Sequence, residues 1–485
     1  MHLRSKQKFR RTSAQFLVLV SFLLGLGIAR TGLEPSLGVV IVSVCLGCFG
    51  LIKRNNISMF LLVVCGLMIG CARGAVYMHR LTQYEPYYGQ RVQMTITADQ
   101  DAVYGTRSQL TFDGGDIHIS SGKHLIGKVA ISGFGTNAVF QGDTVRVGGK
   151  LRPGYGAKQG SISFANITVL AHHNSVIASI RRRFAAGMQT ALPEPLGSFA
   201  MGLLVGQRAT LSASAKQDLL MVGLTHIIAV SGYNLTIILH ASKKILARRS
   251  KRLATLLSFA LIAVFLLLAG SSASIVRAAI VSSISIVTVY YGRTVKPLHL
   301  IAMAAAITAY AKPIYVWSDI SWYLSFLAFF GVMLVAPLLA SRMPSRLAGS
   351  SLIAVGIESI CAEIMSLPIV LFTFGQMSLI GLPANMLVVA LVPLAMLLSL
   401  LAGLAGMCAP VVAGWVAWPA RVLLNYMLDT AHLLANVPHI FVENLQLPLA
   451  EMLAWYLGIS LFVAALWFKT KQRSAILTDV TDESW

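Results

Sequence analysis

Long apolar runs divide most of the chain into segments of membrane-spanning length. A helix of about 20 apolar residues crosses the roughly 30 Å hydrocarbon core of a bilayer. Such runs occupy residues 14–29, 36–52, 57–77, 226–241, 253–270, 274–291, 297–312, 321–340, 350–373, 379–407, 411–436 and 450–468. The pattern predicts a polytopic α-helical membrane protein with roughly 12 spans. The run at 379–407 contains Pro383 and Pro393, so it is predicted either as one span or as a broken one.

The segment 78–175 has a different pattern. Its residues alternate between apolar and polar, or are rich in β-branched side chains, at 91–97, 109–112, 116–120, 128–132, 143–151 and 161–170. Turns are predicted at the glycine-containing sequences 113–115, 148–149 and 152–154. Several short strands at regular spacing predict a small β-barrel or sandwich that is inserted into the membrane protein.

Short helices are predicted between this insert and the main group of spans. The stretch 180–192 carries three consecutive arginines beside apolar residues, 196–207 is apolar but short for a span, and 212–222 is amphipathic. The predicted organisation is therefore a three-span region at 1–77, a β domain at 78–175, amphipathic or interfacial helices at 176–225, a transmembrane bundle at 226–468 and a short polar tail at 469–485.

Composition supports lipid as the main solvent. The chain is 56% hydrophobic and 12% charged, whereas a soluble domain carries about 25% charged residues. The net charge of +21 has two explanations, the positive-inside rule and attraction to a polyanion. The basic clusters fall on alternate loops, on the same side as the basic N-terminus. This predicts a multi-pass protein of the cell (cytoplasmic) membrane with a cytoplasmic N-terminus and C-terminus and an extracytoplasmic β domain.

Polar residues inside apolar runs are costly and mark candidate functional positions. The candidates for lining a channel are His226, Ser231, Gly232, Asn234, Ser274, Arg277, Glu363 and Asn385. Residues 226–234 either hydrogen-bond between helices or line a pore. Arg277 either extends to the outer interface or faces a wet cavity, and Glu363 either pairs with Arg277 or lines a channel.

Basic and aromatic residues occur together in the insert, as they do in proteins that bind single-stranded nucleic acid. The candidate contacts are Arg91, Arg107, Lys128, Arg146, Lys150, Arg152 and Tyr155. The alternative is that the aromatic residues only fill strands. All cysteines lie in or beside apolar runs, so no disulfide is expected in the insert. Known catalytic, metal-binding and cofactor-binding motifs are absent, so the sequence predicts neither an enzyme nor a cofactor or metal site.

Ordered motifs in the second half resemble the ComEC family of DNA-uptake channels. They are residues 200–239 (AMGLLVGQRATLSASAKQDLLMVGLTHIIAVSGYNLTIIL), 270–279 (GSSASIVRAA), 291–298 (YGRTVKPL), 322–331 (WYLSFLAFFG) and 374–385 (FGQMSLIGLPAN). The three spans followed by a β domain also fit this resemblance. The sequence departs from the family at Asn234, where many members have His, at Glu363, where many have Gln, and at Trp322, which replaces a Gln.

The resemblance implies that the insert is an OB-like domain and that the bundle passes single-stranded DNA across the cytoplasmic membrane during natural transformation. It implies an extracytoplasmic DNA receptor and a cytoplasmic helicase or motor as partners. It also implies a separate nuclease, because the metallo-β-lactamase-like domain of many members is absent from this sequence. A homo-oligomer is a further expectation. The main alternative is a secondary transporter of a small anionic solute, which would show internal repeats, and no clear repeat occurs.

Overall fold

The structure is a computed structural model, and it describes residues 11–53, 56–104, 109–120, 122–136, 138–172, 176–206, 211–228, 250–269, 273–293, 296–344 and 351–482. The chain divides into two compact units. The first consists of Met1–Arg182 and Ser283–Trp322, and the second consists of Arg183–Ser282 and Tyr323–Trp485.

Helices account for most of the described residues. In chain order they are α1 (Arg11–Ala29), α2 (Leu37–Lys53), α3 (Asn56–Leu81), α4 (Val176–Ala191), α5 (Leu196–Val205), α6 (Ala213–Met221), α7 (Thr225–Ile228), α8 (Lys251–Ala269), α9 (Ala273–Tyr290), α10 (Pro297–Ala311), α11 (Ile314–Ser318), α12 (Ile320–Phe330), α13 (Ala336–Ala340), α14 (Ser351–Phe374), α15 (Gly381–Val388), α16 (Val392–Cys408), α17 (Pro410–Ala435) and α18 (Leu449–Asp482). A 3-10 helix follows α3 at Thr82–Tyr87, and a π-helical turn at Gly331–Val335 joins α12 to α13.

Within the described residues, seven helical stretches are long and apolar enough to cross a membrane. They are Thr12–Ala29, Ile57–Tyr87, Ile320–Ala340, Gly356–Phe374, Gly381–Cys408, Pro410–Ala435 and Leu449–Phe468. The predicted runs at 36–52, 274–291 and 297–312 form shorter apolar helices. Most of the run at 226–241 lies outside the described residues. The helices fit a multi-pass membrane protein, and the count of roughly 12 spans stays a prediction.

The long run predicted at 379–407 is one helical stretch with a local distortion. It begins at Gly381, and a 3-10 turn at Val389–Leu391 joins α15 to α16. Pro393 explains the distortion, because proline has no amide hydrogen and its ring clashes with the carbonyl four residues earlier, at Val389.

Small residues let α1 and α3 pack closely in the first unit. A Cβ added to Gly25 would meet the backbone oxygen of Leu67, and a Cβ added to Gly70 would meet the backbone oxygen of Phe22. Such close approach is typical of helix pairs in lipid, where association depends on van der Waals contact.

The short apolar helix α5 lies in the core of the second unit. Each of its residues, Leu196–Val205, is buried. The neighbouring helix α4 packs on α16 through glycine, since a Cβ on Gly406 would meet the backbone of Gly187. An apolar helix too short to span a bilayer is thus covered by protein.

Residues 91–171 form a sheet whose long strands close into a ring. The strands are β1 (Arg91–Ala98), β2 (Val103–Tyr104), β3 (Leu110–Ile119), β4 (His124–Leu125), β5 (Val129–Phe134), β6 (Thr144–Pro153) and β7 (Gly160–Ala171). Strand β1 pairs antiparallel with β3 and β6, β6 pairs antiparallel with β7, β7 runs parallel to β5, and β5 returns antiparallel to β3. Alternate residues, including Ile96, Phe112 and Ile167, fill its core.

Two of the predicted turns are wrong. Residues 113–115 lie inside β3 and residues 148–149 lie inside β6. Close packing requires glycine there, because a Cβ on Gly114 would lie 2.6 Å from Cδ1 of Ile96, and a Cβ on Gly149 would meet the side chain of Ile162. Glycine inside a strand also permits the bend that a closed sheet needs.

The turn between β6 and β7 is fixed to helices of the same unit. The Ser318 hydroxyl donates to the carbonyl oxygen of Gly156 at 2.6 Å. The buried Gln159 donates from Nε2 to the Tyr77 hydroxyl at 3.5 Å, and its carbonyl oxygen accepts from Tyr88 at 2.8 Å. The β domain is therefore held to α3 and α11 by hydrogen bonds as well as by the chain.

Replacing Gly133 with Ala should destabilise the β domain. The added Cβ would strike the backbone carbonyl of Ala165 on β7, and overpacking of this kind costs about 1–3 kcal/mol. Hydrogen exchange of strands β5 and β7 in the full-length protein measures the decrease in protection. Gly148→Ala is the matched control, since no atom lies within 4 Å of its Cβ position. Equal protection in the two variants would contradict the close contact.

Candidate functional site

One exposed face of the β domain is basic. Arg91, Arg146, Lys150 and Arg152 are all exposed on β1 and β6. Arg91 is the cross-strand partner of Lys150, and Thr95 is the partner of Arg146. Directly paired residues of antiparallel strands project to the same side of a sheet. These four residues, which we call the basic face, therefore share one side of the domain.

The aspartates of the domain are engaged elsewhere. Their partners are Lys128 for Asp99 (2.7 Å), Lys158 for Asp113 (2.6 Å), Arg181 for Asp101 (3.7 Å), His172 for Asp143 (3.0 Å) and His124 for Asp116 (2.8 Å). Among the described residues, no member of the basic face forms an ion pair. Its positive charge is thus available to an anionic ligand.

Phe164 adds an aromatic ring beside the basic face. It is the extra residue of a bulge in β7, because the pairing with β5 passes from Ser132–Ser163 to Gly133–Ala165 and skips Phe164. Its φ is 55° and its side chain is 67% exposed. A left-handed backbone is unusual for a bulky residue, and strain of this kind clusters at functional sites. Phe164 was not among the contacts predicted from the sequence, although the odd spacing of buried Ile162 and Ile167 indicates a bulge.

Two other predicted contacts of the insert, Lys128 and Tyr155, are not among the four residues of this face. Lys128 is held by Asp99, and the pair lies near Lys312.

Tyr155 and Arg107 complete the set of contacts predicted for the insert. Tyr155 is 81% exposed and lies in the turn that contacts Ser318 through Gly156. Arg107 lies outside the described residues.

A second candidate region is a partly buried polar cluster in the second unit, formed by Glu363, Ser378 and Asn385. A Cβ on Gly381 would lie 3.2 Å from Oε1 of Glu363 and 3.9 Å from Cβ of Ser378. Asn385 lies one turn after Gly381 on α15, on the same helix face. A Cβ on Gly223 would lie 3.2 Å from Cβ of Ser378. Two motifs that are far apart in the sequence thus meet at this cluster.

The polar atoms of this cluster are only partly satisfied. Oε2 of Glu363, Oγ of Ser378 and Oδ1 of Asn385 are buried and have no hydrogen-bond partner among the described residues. An unpaired buried polar group costs free energy and calls for a ligand, water or a functional explanation. We therefore keep Glu363 and Asn385 as candidate path residues and add Ser378.

Only the first part of the predicted group at 226–234 lies within the described residues. His226 is at the surface of α7, and its Nδ1 lies 3.1 Å from the carbonyl oxygen of Gly223. Ser231, Gly232 and Asn234 lie outside the described residues.

Arg277 is buried by protein near the start of α9. Its side chain is 3% exposed, and its guanidinium carbon lies 5.7 Å from the centre of the Phe326 ring on α12. A cation over an aromatic face is a favourable arrangement that gains strength when water is excluded. Ser274 lies one turn earlier on α9 and is half-buried. This burial disfavours the interpretation in which Arg277 extends to the lipid interface.

The seven apolar helices and the inserted sheet define the class of this chain: a membrane protein of several spans that carries a β domain. The sequence profile of the family described as Competence protein matches residues 203–469. Because this match covers more than half of the 485 residues, the chain belongs to the ComEC family of competence proteins.

One curated relative is ComE operon protein 3 of Bacillus subtilis (strain 168). It is 24% identical over 215 residues, which cover 44% of this chain and 27% of the relative. The matched region therefore spans about a quarter of the length of that protein. No solved structure matches the chain.

Replacing Phe164 with Gly should stabilise the β domain, because glycine relieves the left-handed strain of about 1–3 kcal/mol and costs only about 0.5–1 kcal/mol through backbone entropy. The change in stability is measured by thermal unfolding of the full-length protein, which is monitored through hydrogen exchange of the β7 amides. Ser163→Gly is the control: it is the exposed neighbour without positive φ, and its replacement should only destabilise. Equal destabilisation in both variants would show that Phe164 is not strained.

Proposed function

We propose that this chain passes single-stranded DNA across the cytoplasmic membrane during DNA uptake in natural transformation. The observation that carries the proposal is the basic face with Phe164 beside it, on the inserted domain of a competence-family protein. Positive side chains neutralise phosphates, and an exposed ring stacks on bases of any sequence. A solute transporter would have no need of a broad basic and aromatic face outside its bundle.

The β domain is proposed to be OB-like. Support comes from its strand pairing, in which five strands form a ring, the first strand is shared by two neighbours and one pair is parallel. Five-stranded Greek-key barrels of this kind bind oligonucleotides on their outer surface. The domain would lie on the extracytoplasmic side of the membrane and guide the strand towards it.

The proposed path through the bundle uses Arg277 and the cluster of Glu363, Ser378 and Asn385. Ionisable and amide groups inside a membrane protein favour a wet cavity over lipid. The chemistry of the chain is transport without bond cleavage. A separate nuclease would supply the single strand, an extracytoplasmic receptor would deliver duplex DNA, and a cytoplasmic helicase or motor would pull. Both termini would lie in the cytoplasm, and two or more copies of the chain would assemble.

Removing charge from the basic face should weaken binding of single-stranded DNA. We expect Arg146→Ala and Lys150→Ala to lower affinity for an oligonucleotide and to reduce the salt slope by about 0.7 for each phosphate that is no longer neutralised. Fluorescence anisotropy of the full-length protein in detergent, across a series of salt concentrations, measures both quantities.

Lys158→Ala is the matched control for this experiment. It changes the net charge by the same amount, but Lys158 is already held by Asp113, so its removal should have a smaller effect. If all three variants weaken binding equally, net charge rather than the basic face determines affinity. If none does, the DNA-binding role of the domain is wrong.

Replacing Asn385 with Leu should block DNA entry without preventing membrane insertion. The branched side chain would remove the amide from the polar cluster while keeping the segment apolar. Uptake of labelled duplex DNA into the cytoplasm is measured in a host whose own gene is replaced by the variant. Ser399→Ala, at a buried position further along the same helical stretch, is the control. Normal uptake with Asn385→Leu would exclude the cluster from the path.

A further inference from the structure

Two histidines and an aspartate meet on the hairpin formed by β3 and β4. Nε2 of His124 lies 2.8 Å from Oδ1 of Asp116, and Nε2 of His118 lies 3.5 Å from the same oxygen. The two imidazole rings are 4.6 Å apart between centroids. Among the described residues, this is the only group of three such side chains whose ligand atoms all lie within 4.8 Å of one another.

The fold brings these side chains to one side of the hairpin. His118 and His124 are cross-strand partners in the antiparallel pairing of β3 with β4, so they project to the same side. Asp116 precedes His118 by two positions and is exposed on the same face. The hairpin is tied to β1 by Ser120, whose backbone amide and hydroxyl both donate to the carbonyl oxygen of Gln93.

Asp116 also occupies a bulge. The pairing of β3 with β1 changes register between Thr95 and Thr97, and Asp116 has a φ of 50° there. A bulge redirects the side chain of its extra residue. The carboxylate is consequently aimed at both imidazoles, instead of forming an ion pair with a neighbouring lysine or arginine as Asp99 and Asp113 do.

The donor set suits a transition metal. Zinc bound to imidazole nitrogen and carboxylate oxygen at about 2.0–2.2 Å in tetrahedral geometry places its ligand atoms about 3.3–3.6 Å apart. The 3.5 Å distance from Nε2 of His118 to Oδ1 of Asp116 already fits this geometry. The 2.8 Å distance from Nε2 of His124 to the same oxygen would need a small side-chain rotation. We propose that Asp116, His118 and His124 bind one divalent ion of the Zn²⁺ class and leave a coordination position open to water or an anion.

The position of this site relates it to the basic face. Thr95 on β1 pairs with His118 on one side and with Arg146 on the other. His118 and Arg146 are therefore two strands apart, or about 10 Å. A bound cation would extend the positive surface across β3, and its open position would accept a phosphate oxygen. This consequence rests on the proposed function, whereas metal binding itself does not.

The test is a Zn²⁺ titration of the tag-free, full-length protein in detergent, in competition with a chromophoric chelator. We expect a single equivalent to bind with micromolar or tighter affinity, and His118→Ala and His124→Ala each to weaken binding about tenfold or more. His172→Gln is the matched control, because His172 is another exposed histidine of this domain held by an aspartate, Asp143. Unchanged affinity in His118→Ala and His124→Ala would overturn the site.

A second measurement needs no variant. Bound Zn²⁺ should protect His118 and His124, but not His172, from acylation by diethyl pyrocarbonate, as read by mass spectrometry. Equal modification with and without Zn²⁺ would also overturn the site. Oligonucleotide affinity with and without Zn²⁺ then tests the link to DNA. If Zn²⁺ binds while the basic-face variants bind DNA normally, the metal site stands and the proposed function fails.

Discussion

Backbone amides and carbonyls that lie in lipid need partners inside the protein, because hydrocarbon offers none. Helices meet this requirement along their length, and side chains complete it at their ends. Arg73 donates to the carbonyl oxygens of Tyr310 (2.9 Å) and Ala311 (3.3 Å) where α10 stops. Trp317 donates its indole hydrogen to the carbonyl oxygen of Leu26 near the end of α1. The β domain, which is proposed to lie in water, satisfies its backbone in another way: its long strands pair on both sides and leave no long unpaired edge.

The same requirement explains which parts of the fold the sequence predicts. Apolar length and alternation are local signals, so the long helices and the strands β1, β5, β6 and β7 were predicted close to their observed bounds. Strand β3 was predicted as two separate strands, and the two-residue strands β2 and β4 were not predicted. Glycine was misinterpreted at 113–115 and 148–149, because a local pattern cannot distinguish a turn from a strand that bends around a crowded core. Phe164 was not among the predicted contacts for a related reason: the spacing of Ile162 and Ile167 is a weak signal, and the strand pairing is what identifies Phe164 as the residue of the bulge.

The candidate sites show a similar division. The residue types of the basic face were predictable from the sequence, but the engagement of Lys128 by Asp99 was not, because it depends on contacts between distant strands. The convergence of Gly223 with Ser378 and Gly381 is likewise a tertiary event. His118 and His124 carry no recognisable motif spacing, and the hairpin alone places them beside Asp116.

The contact between the β6–β7 turn and the helices of the same unit has a mechanical consequence. Ser318 holds Gly156, and Gln159 is fixed between Tyr77 and Tyr88. A domain joined to its helices by the chain alone would rotate when a bound polymer is drawn past it, because nothing else would resist the pulling force. A domain mounted at its turn bears the load through the helices. Its outer surface then keeps a constant orientation relative to α3 and α11.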